Sequence, residues 1–339
     1  MKNTILFFSS LLLLAGCYPD YVRDFDDGAG VYTAYQYDLR TFVLGESESF
    51  DFTVALGGII NNDRDRSVKV ELDNSLLTED LSTLVPDGDY ASFTAMNALL
   101  GSGAFGSVCQ GYVTSEVAAS KITTLTPLPE SYYTISGLDR MTILSGRHTA
   151  TATIKATDFI KEDPNVYAPY YAVAFRILSA EDAVTVPTRD FEIIVVKCEH
   201  MLFGQWAHEG STKVLNESGD GETDSYAFSE SDERVYTLTT QNANSLMTDK
   251  IGATKGKLLL TLNADNSITV SSPDVTVEAI EGEPSYFNGA RLLQDRQIHL
   301  NYRYARDGVR YEVRDVLYFR SRSRDGVLEY QDENPAHYN

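Results

Sequence analysis

Cys198, His200 and His208 place one thiol and two imidazoles within eleven residues, the donor types that zinc prefers. A structural zinc site takes four ligands at a recognisable spacing. No C-x-x-C or H-E-x-x-H is present to complete one, so no metal is expected there. Asn216 to Asp224, NESGDGETD, offers oxygens of the kind calcium takes, but without the ligand order of an EF-hand loop it reads as a solvated loop. Gly101 to Val108, GSGAFGSV, fits G-x-G-x-x-G-x-V, the pattern whose glycines let a kinase backbone approach ATP phosphates. No V-A-I-K, H-R-D or D-F-G accompanies it, and it too reads as a loop. There is no G-x-S-x-G elbow, and nothing selects two carboxylates for glycosidic acid–base work from 49 acidic residues. No catalytic residues and no cofactor are expected.

The remaining chemistry is that of binding. Arg303, Arg306, Arg310, Arg314, Arg320, Arg322 and Arg324 lie close together in a chain whose formal charge is −21. If Asp307-Gly308 is a two-residue turn, Arg303 faces Glu312 across a hairpin as a cross-strand ion pair. Partners elsewhere in the chain, or an anionic ligand such as a uronate or a lipid headgroup, are open to the other arginines. The same register puts Tyr302, Tyr304, Tyr311 and Val313 on one face, as a barrel core would require. Sugar rings stack their C–H faces on flat aromatic groups and need polar partners at the rim. Tyr286, with Phe287 and Asn288 in EPSYFNGA, is the candidate ligand-binding group on that basis. The acidic balance argues against nucleic acid, because such a surface repels phosphate.

At the start of the chain, Lys2 precedes a run from Ile5 to Leu14 that is almost wholly apolar, and Ala15-Gly16 supply small residues for cleavage. The run is too short for a bilayer core of ~30 Å, which takes roughly 20 residues. Leu14-Ala15-Gly16-Cys17 resembles the bacterial lipobox, in which the cysteine thiol accepts a diacylglyceryl group and becomes the mature N-terminus. Residues 1–16 are therefore expected to be a signal peptide, Cys17 the lipidation site, and 17–28 a polar, flexible tether. This predicts a protein anchored to a membrane by lipid, with the leaflet left open.

About 320 residues follow the cleavage point, enough for two domains. With 21 tyrosines, 15 phenylalanines and many β-branched residues in short alternating segments, the chain is expected to be all-β. Residues 29–198 read as an immunoglobulin-like β-sandwich with a partly helical insertion at about 76–130. Residues 202–339 are consecutive hairpins, with turns at Asp265-Asn266, Glu281-Gly282 and Asp307-Gly308, and predict an antiparallel up-and-down barrel. Gly204-Gln205-Trp206 resembles the G-x-W signature of lipocalin-like barrels, which gives Trp206 a structural place. Cys109 and Cys198 are open to pairing or to separate thiols.

The segments RTFVLGESESFDFTVALGG, DRDRSVKVELDNSLL, LTPLPESYYTIS and MTILSGRHTATATIKATD resemble the N-terminal immunoglobulin-like domain of uncharacterised function in Bacteroidetes-type lipoproteins. RLLQDRQIHLNYRYARDGVRYEVRDVLYFRSRSRDGVLEYQDENP resembles the C-terminal domain that often accompanies it, and residues 79–121 depart from the pattern. The resemblance implies association with SusC/SusD-like glycan uptake systems. It points to a glycan or oligosaccharide ligand and a non-catalytic, accessory role at the outer membrane. A structural or adhesin-like lipoprotein, or an unrecognised glycoside hydrolase, are the alternative classes.

Overall fold

The computed structural model describes residues 28–77, 111–120, 125–187, 189–216, 221–229 and 234–331. Cys17, Cys109 and the glycine-rich segment 101–108 lie outside the described residues. Two compact units are present. One comprises the described residues within Met1–Asp38, Ser49–Thr157 and Tyr170–Val195, and the other those within Leu39–Glu48, Asp158–Pro169 and Val196–Asn339. The second unit therefore includes two short segments that precede the 198–202 boundary drawn from the sequence.

The first half of the chain builds two sheets. Its strands are β1 (Gly30–Thr33), β2 (Tyr37–Leu44), β3 (Ser49–Gly57), β4 (Arg66–Leu72), β5 (Thr126–Pro127), β6 (Tyr133–Ser136), β7 (Met141–Ile143), β8 (Thr149–Ala156), β9 (Tyr171–Ala180), β10 (Val184–Thr185) and β11 (Phe191–His200). One sheet runs β10-β1-β3-β8-β6 and the other β2-β11-β9-β4-β7, with β5 beside β9. Alternation decides which side is core: Phe52, Val54 and Leu56 of β3 are buried, and so are Val68 and Val70 of β4. Phe52 stacks on Phe175 of β9 with centroids 4.4 Å apart, joining the two inner faces. The sandwich expectation is met. So is a helical part of the insertion, where α1 (Gly111–Ser120) is described.

The barrel strands are β12 (Gly204–Leu215), β13 (Thr223–Ser229), β14 (Tyr236–Asn242), β15 (Ser245–Ile251), β16 (Thr254–Leu262), β17 (Ile268–Ser271), β18 (Thr276–Ala279), β19 (Tyr286–Phe287), β20 (Gln297–Arg306), β21 (Val309–Arg324) and β22 (Val327–Glu329). The sheet runs β17-β16-β15-β14-β12-β21-β20-β18, with β13 on β12, β19 on β20 and β22 on β21. Antiparallel hairpins explain the order, and the turns carry the backbone that two-residue loops demand. Asp307 and Gly308 both have positive φ, 52° and 78°, as a type I′ turn requires. Two backbone bonds draw the free edges together: Ile268 N–H donates to Ser285 O at 2.8 Å and Phe287 N–H to Asn266 O at 2.9 Å. The barrel is thus nearly closed.

Its interior is filled. Trp206, Tyr236, Leu258, Leu300, Tyr302, Val313 and Leu317 are among the buried residues of one apolar cluster. Tyr302 pairs with Val313 and Tyr304 with Tyr311 in the β20–β21 register, so the aromatic stripe read from the sequence is barrel core. Trp206 is fully buried, meets Phe319 edge-to-face at 5.5 Å and donates its indole N–H to Leu202 O at 3.1 Å.

Candidate functional site

Cys198, His200 and His208 each sit in a separate environment. Cys198 is a buried free thiol whose pKa is pushed up by burial. His200 Nδ1 accepts from the Leu202 N–H at 3.0 Å, and burial lowers its pKa to about 4. His208 places Nε2 3.1 Å from Asp315 Oδ1. Among the described residues no group of three His, Cys, Asp or Glu side chains is arranged for a metal.

Asp315 centres a polar cluster inside the barrel whose members come from distant parts of the chain. Tyr226 donates to Asp315 Oδ1, and Tyr236, placed 3.1 Å from Oδ2, also hydrogen-bonds the Gly252 carbonyl at 2.9 Å. Tyr302 accepts the Gly252 N–H at 2.8 Å. Burial, then the Asp315 charge, push all three phenols well above their ordinary range. All of these side chains are buried, so the arrangement holds strands together and offers no reacting surface.

The C-terminal arginines also find partners within the chain. Arg303 faces Glu312 as expected, with Nη2 2.6 Å from Oε2. Arg314 bonds Glu283 and Glu312, Arg310 bonds Glu278, and Arg324 bonds Glu329. Arg306 donates to Thr254 and the Lys255 carbonyl, and Arg320 to Gln205. Arg322 is buried between Glu46 and Glu329, with its guanidinium 5.1 Å from the Phe203 ring centroid. These pairings account for the arginines without an anionic ligand.

Tyr286, Phe287 and Asn288 separate into three roles. Phe287 points inward and is core. Asn288 is committed to its turn: its amide donates to Asp295 O at 2.8 Å, and its Oδ1 accepts from the Ala290 and Gln297 N–H groups. Tyr286 points outward and is 39% exposed. It stacks on His299 of β20 with centroids 4.4 Å apart and ring planes 8° from parallel.

Register extends this outward surface. Tyr286 pairs with His299, His299 with Val316, and Val316 with Glu209 of β12. One step along, Gln297 pairs with Tyr318 and Tyr318 with Ala207. Phe228 of β13, 48% exposed, meets Tyr318 edge-to-face at 5.5 Å. The Tyr318 hydroxyl donates to Glu209, and that hydrogen bond raises its pKa to about 12. Burial lowers the His299 pKa, which favours a neutral ring. Tyr286, His299, Tyr318 and Phe228 thus form an aromatic row on the outer face from β19 to β13, with Glu209 and Gln297 as polar companions. Such a surface stacks on apolar ligand faces while offering hydrogen bonds beside them.

No family model and no curated protein matches the sequence. Among solved structures, the chain is similar to a Bacteroides ovatus protein of unknown function, with TM-score 0.61, 18% identity, and coverage of 91% of this chain and 98% of that one. This shows a shared fold along nearly the whole length. A Bacteroides ovatus multidomain protein including DUF1735 aligns at TM-score 0.38, 11% identity, and 85% and 93% coverage. An auxiliary nutrient-binding protein from Bacteroides thetaiotaomicron aligns at TM-score 0.37, 12% identity, and 84% and 90% coverage. These two are too distant to bear on this chain. No helix among the described residues is long and apolar enough to cross a membrane.

Proposed function

We propose that the protein is a non-catalytic, lipid-anchored glycan-binding accessory protein of the outer membrane, acting beside SusC/SusD-like uptake proteins. The outward aromatic row of Tyr286, His299, Tyr318 and Phe228 carries this reading. Large buried side chains occupy the barrel interior, whereas this row lies on its outer face. Stacking and hydrogen bonding suit a saccharide there, whereas the −21 formal charge disfavours polyanions. The lipobox-like sequence ending at Cys17 supplies the anchor.

Two results test the reading. Tyr286→Ala and Phe228→Ala are each expected to weaken binding of a neutral oligosaccharide about three- to tenfold by calorimetric titration, the scale of one aromatic contact of ~0.5–1.5 kcal/mol. Both should melt like the parent, because both rings are partly exposed. Wild-type affinity in both variants would instead favour a protein-binding, adhesin-like role. Cys17→Ser should lose acylation, since serine has no thiol to accept the diacylglyceryl group. Unchanged processing and membrane retention in that variant would refute the anchor.

A further inference from the structure

A cleft of about 460 Å³ lies beside the start of β12, on the outer face of the second unit, and includes Gln205, Thr237, Ser321, Ser323 and Glu199 in its lining. Its outward wall exists because β21 carries a bulge: Gln205 pairs with Ser321 while the next residue, Trp206, pairs with Phe319. The extra residue reverses the alternation. Ser321 then shares the outer side with Gln205, and Arg322 turns inward to Glu46.

The wall is rich in uncommitted polar atoms. Thr237, Ser321 and Ser323 make no side-chain hydrogen bond among the described residues. Gln205 accepts from Arg320 through Oε1, which leaves its amide nitrogen to donate. Glu199 is held in place by Lys197 at 3.3 Å and by the Thr240 hydroxyl. Leu328, 64% exposed, adds an apolar surface. Hydroxyls that both donate and accept, an amide donor, a fixed carboxylate acceptor and one apolar wall match a ring bearing several hydroxyl groups.

Charge narrows the ligand further. Arg322 reaches the lining, but its guanidinium is committed to Glu46 and Glu329. Glu199 is likewise paired with Lys197, so no uncommitted cation among the described lining residues favours a uronate or phosphate over a neutral ring. Gln205 precedes Ala207, the residue paired with Tyr318, by two places along β12, a rise of about 7 Å. The cleft adjoins the aromatic row.

We infer that this cleft binds one uncharged sugar unit of an oligosaccharide whose neighbouring units lie on the aromatic row. The inference rests on the glycan-binding reading above and adds a recognition pocket and a charge preference to it. The test is calorimetric titration of the full mature chain with neutral gluco-, manno-, galacto- and xylo-oligosaccharides, from disaccharide to hexasaccharide, and with oligogalacturonates. The double variant Thr237→Val with Ser321→Ala removes two hydroxyls that have no partner among the described residues, so its melting should match the parent. It is expected to weaken the best neutral oligosaccharide about ten- to hundredfold, at ~0.5–1.5 kcal/mol for each lost hydrogen bond. Wild-type affinity in this variant, with weakening in Tyr286→Ala, would overturn the cleft and leave the aromatic row standing. Oligogalacturonates binding as tightly as neutral chains would also overturn it. Failure of every neutral oligosaccharide to bind the parent would overturn both readings.

Discussion

Glu46→Ala should destabilise the second unit by about 3–5 kcal/mol, the cost of leaving a buried charge without its partner. Glu46 holds two guanidiniums at once. Arg322 reaches it through both terminal nitrogens, at 3.0 and 2.5 Å, and Arg296 Nη2 lies 2.9 Å from Oε2. Both arginines are buried, so removing the carboxylate leaves positive charge where water cannot solvate it. Glu329 remains on Arg322, and the Met201 and Arg291 carbonyls remain on Arg296, but none of these replaces the shared anion. The protein has one tryptophan, Trp206, and it sits in the barrel core. Urea unfolding followed by its fluorescence therefore reports on this unit. A midpoint unchanged by Glu46→Ala would show that the cluster contributes nothing.

The same carboxylate makes the unit acid-sensitive. Burial alone would raise the Glu46 pKa, but the Arg322 hydrogen bonds and charge, with those of Arg296, outweigh it and hold the pKa below the ordinary 4.5. A folded-state pKa below the unfolded value means that the stabilisation is complete above the ordinary carboxylate range. It is lost as pH falls through the lowered pKa. Glu46→Gln should flatten that acid limb. An equally steep limb in the variant would assign the sensitivity to other carboxylates.

The parts legible in the sequence are those set by neighbours in the chain. The Arg303–Glu312 pair and the Tyr302–Tyr304–Tyr311–Val313 stripe follow from one two-residue turn and a period of two, and both are present. Glu46 and Arg322 are 276 residues apart, and no local pattern announces that they meet. The Asp315 cluster is equally non-local, drawing His208, Tyr226, Tyr236 and Tyr302 from four strands. At the candidate site, an aromatic residue among polar neighbours was enough to single out Tyr286 in the sequence. Its stacking on His299 and the continuation to Tyr318 and Phe228 depend on strand register. The cleft was hidden more deeply, because alternation along β21 places Ser321 inward until the bulge reverses it. Phe287 and Asn288 show the limit of reading a loop by composition: beside an exposed tyrosine, one became core and the other a turn brace.

Trp206→Ala should cost a further large share of the barrel's stability, about 3–5 kcal/mol for an aromatic ring removed from a well-packed core. The indole is fully buried and meets Phe319 at a near-perpendicular 88°, so truncation leaves a cavity bordered by a ring that loses its edge-to-face partner. It also removes the donor to the Leu202 carbonyl. Its backbone adds a topological reason: Trp206 pairs with Tyr236 of β14 and with Phe319 of β21, so a shift there disturbs two ladders together. Calorimetry should show the transition that carries the barrel lowered by on the order of 10 °C. Trp206→Phe, which keeps most of the volume, should recover more than half of the loss. Because the indole faces inward, oligosaccharide affinity measured well below the lowered transition should equal that of the parent. A variant that melts normally yet fails to bind would move the sugar contact from the outer row to Trp206 itself.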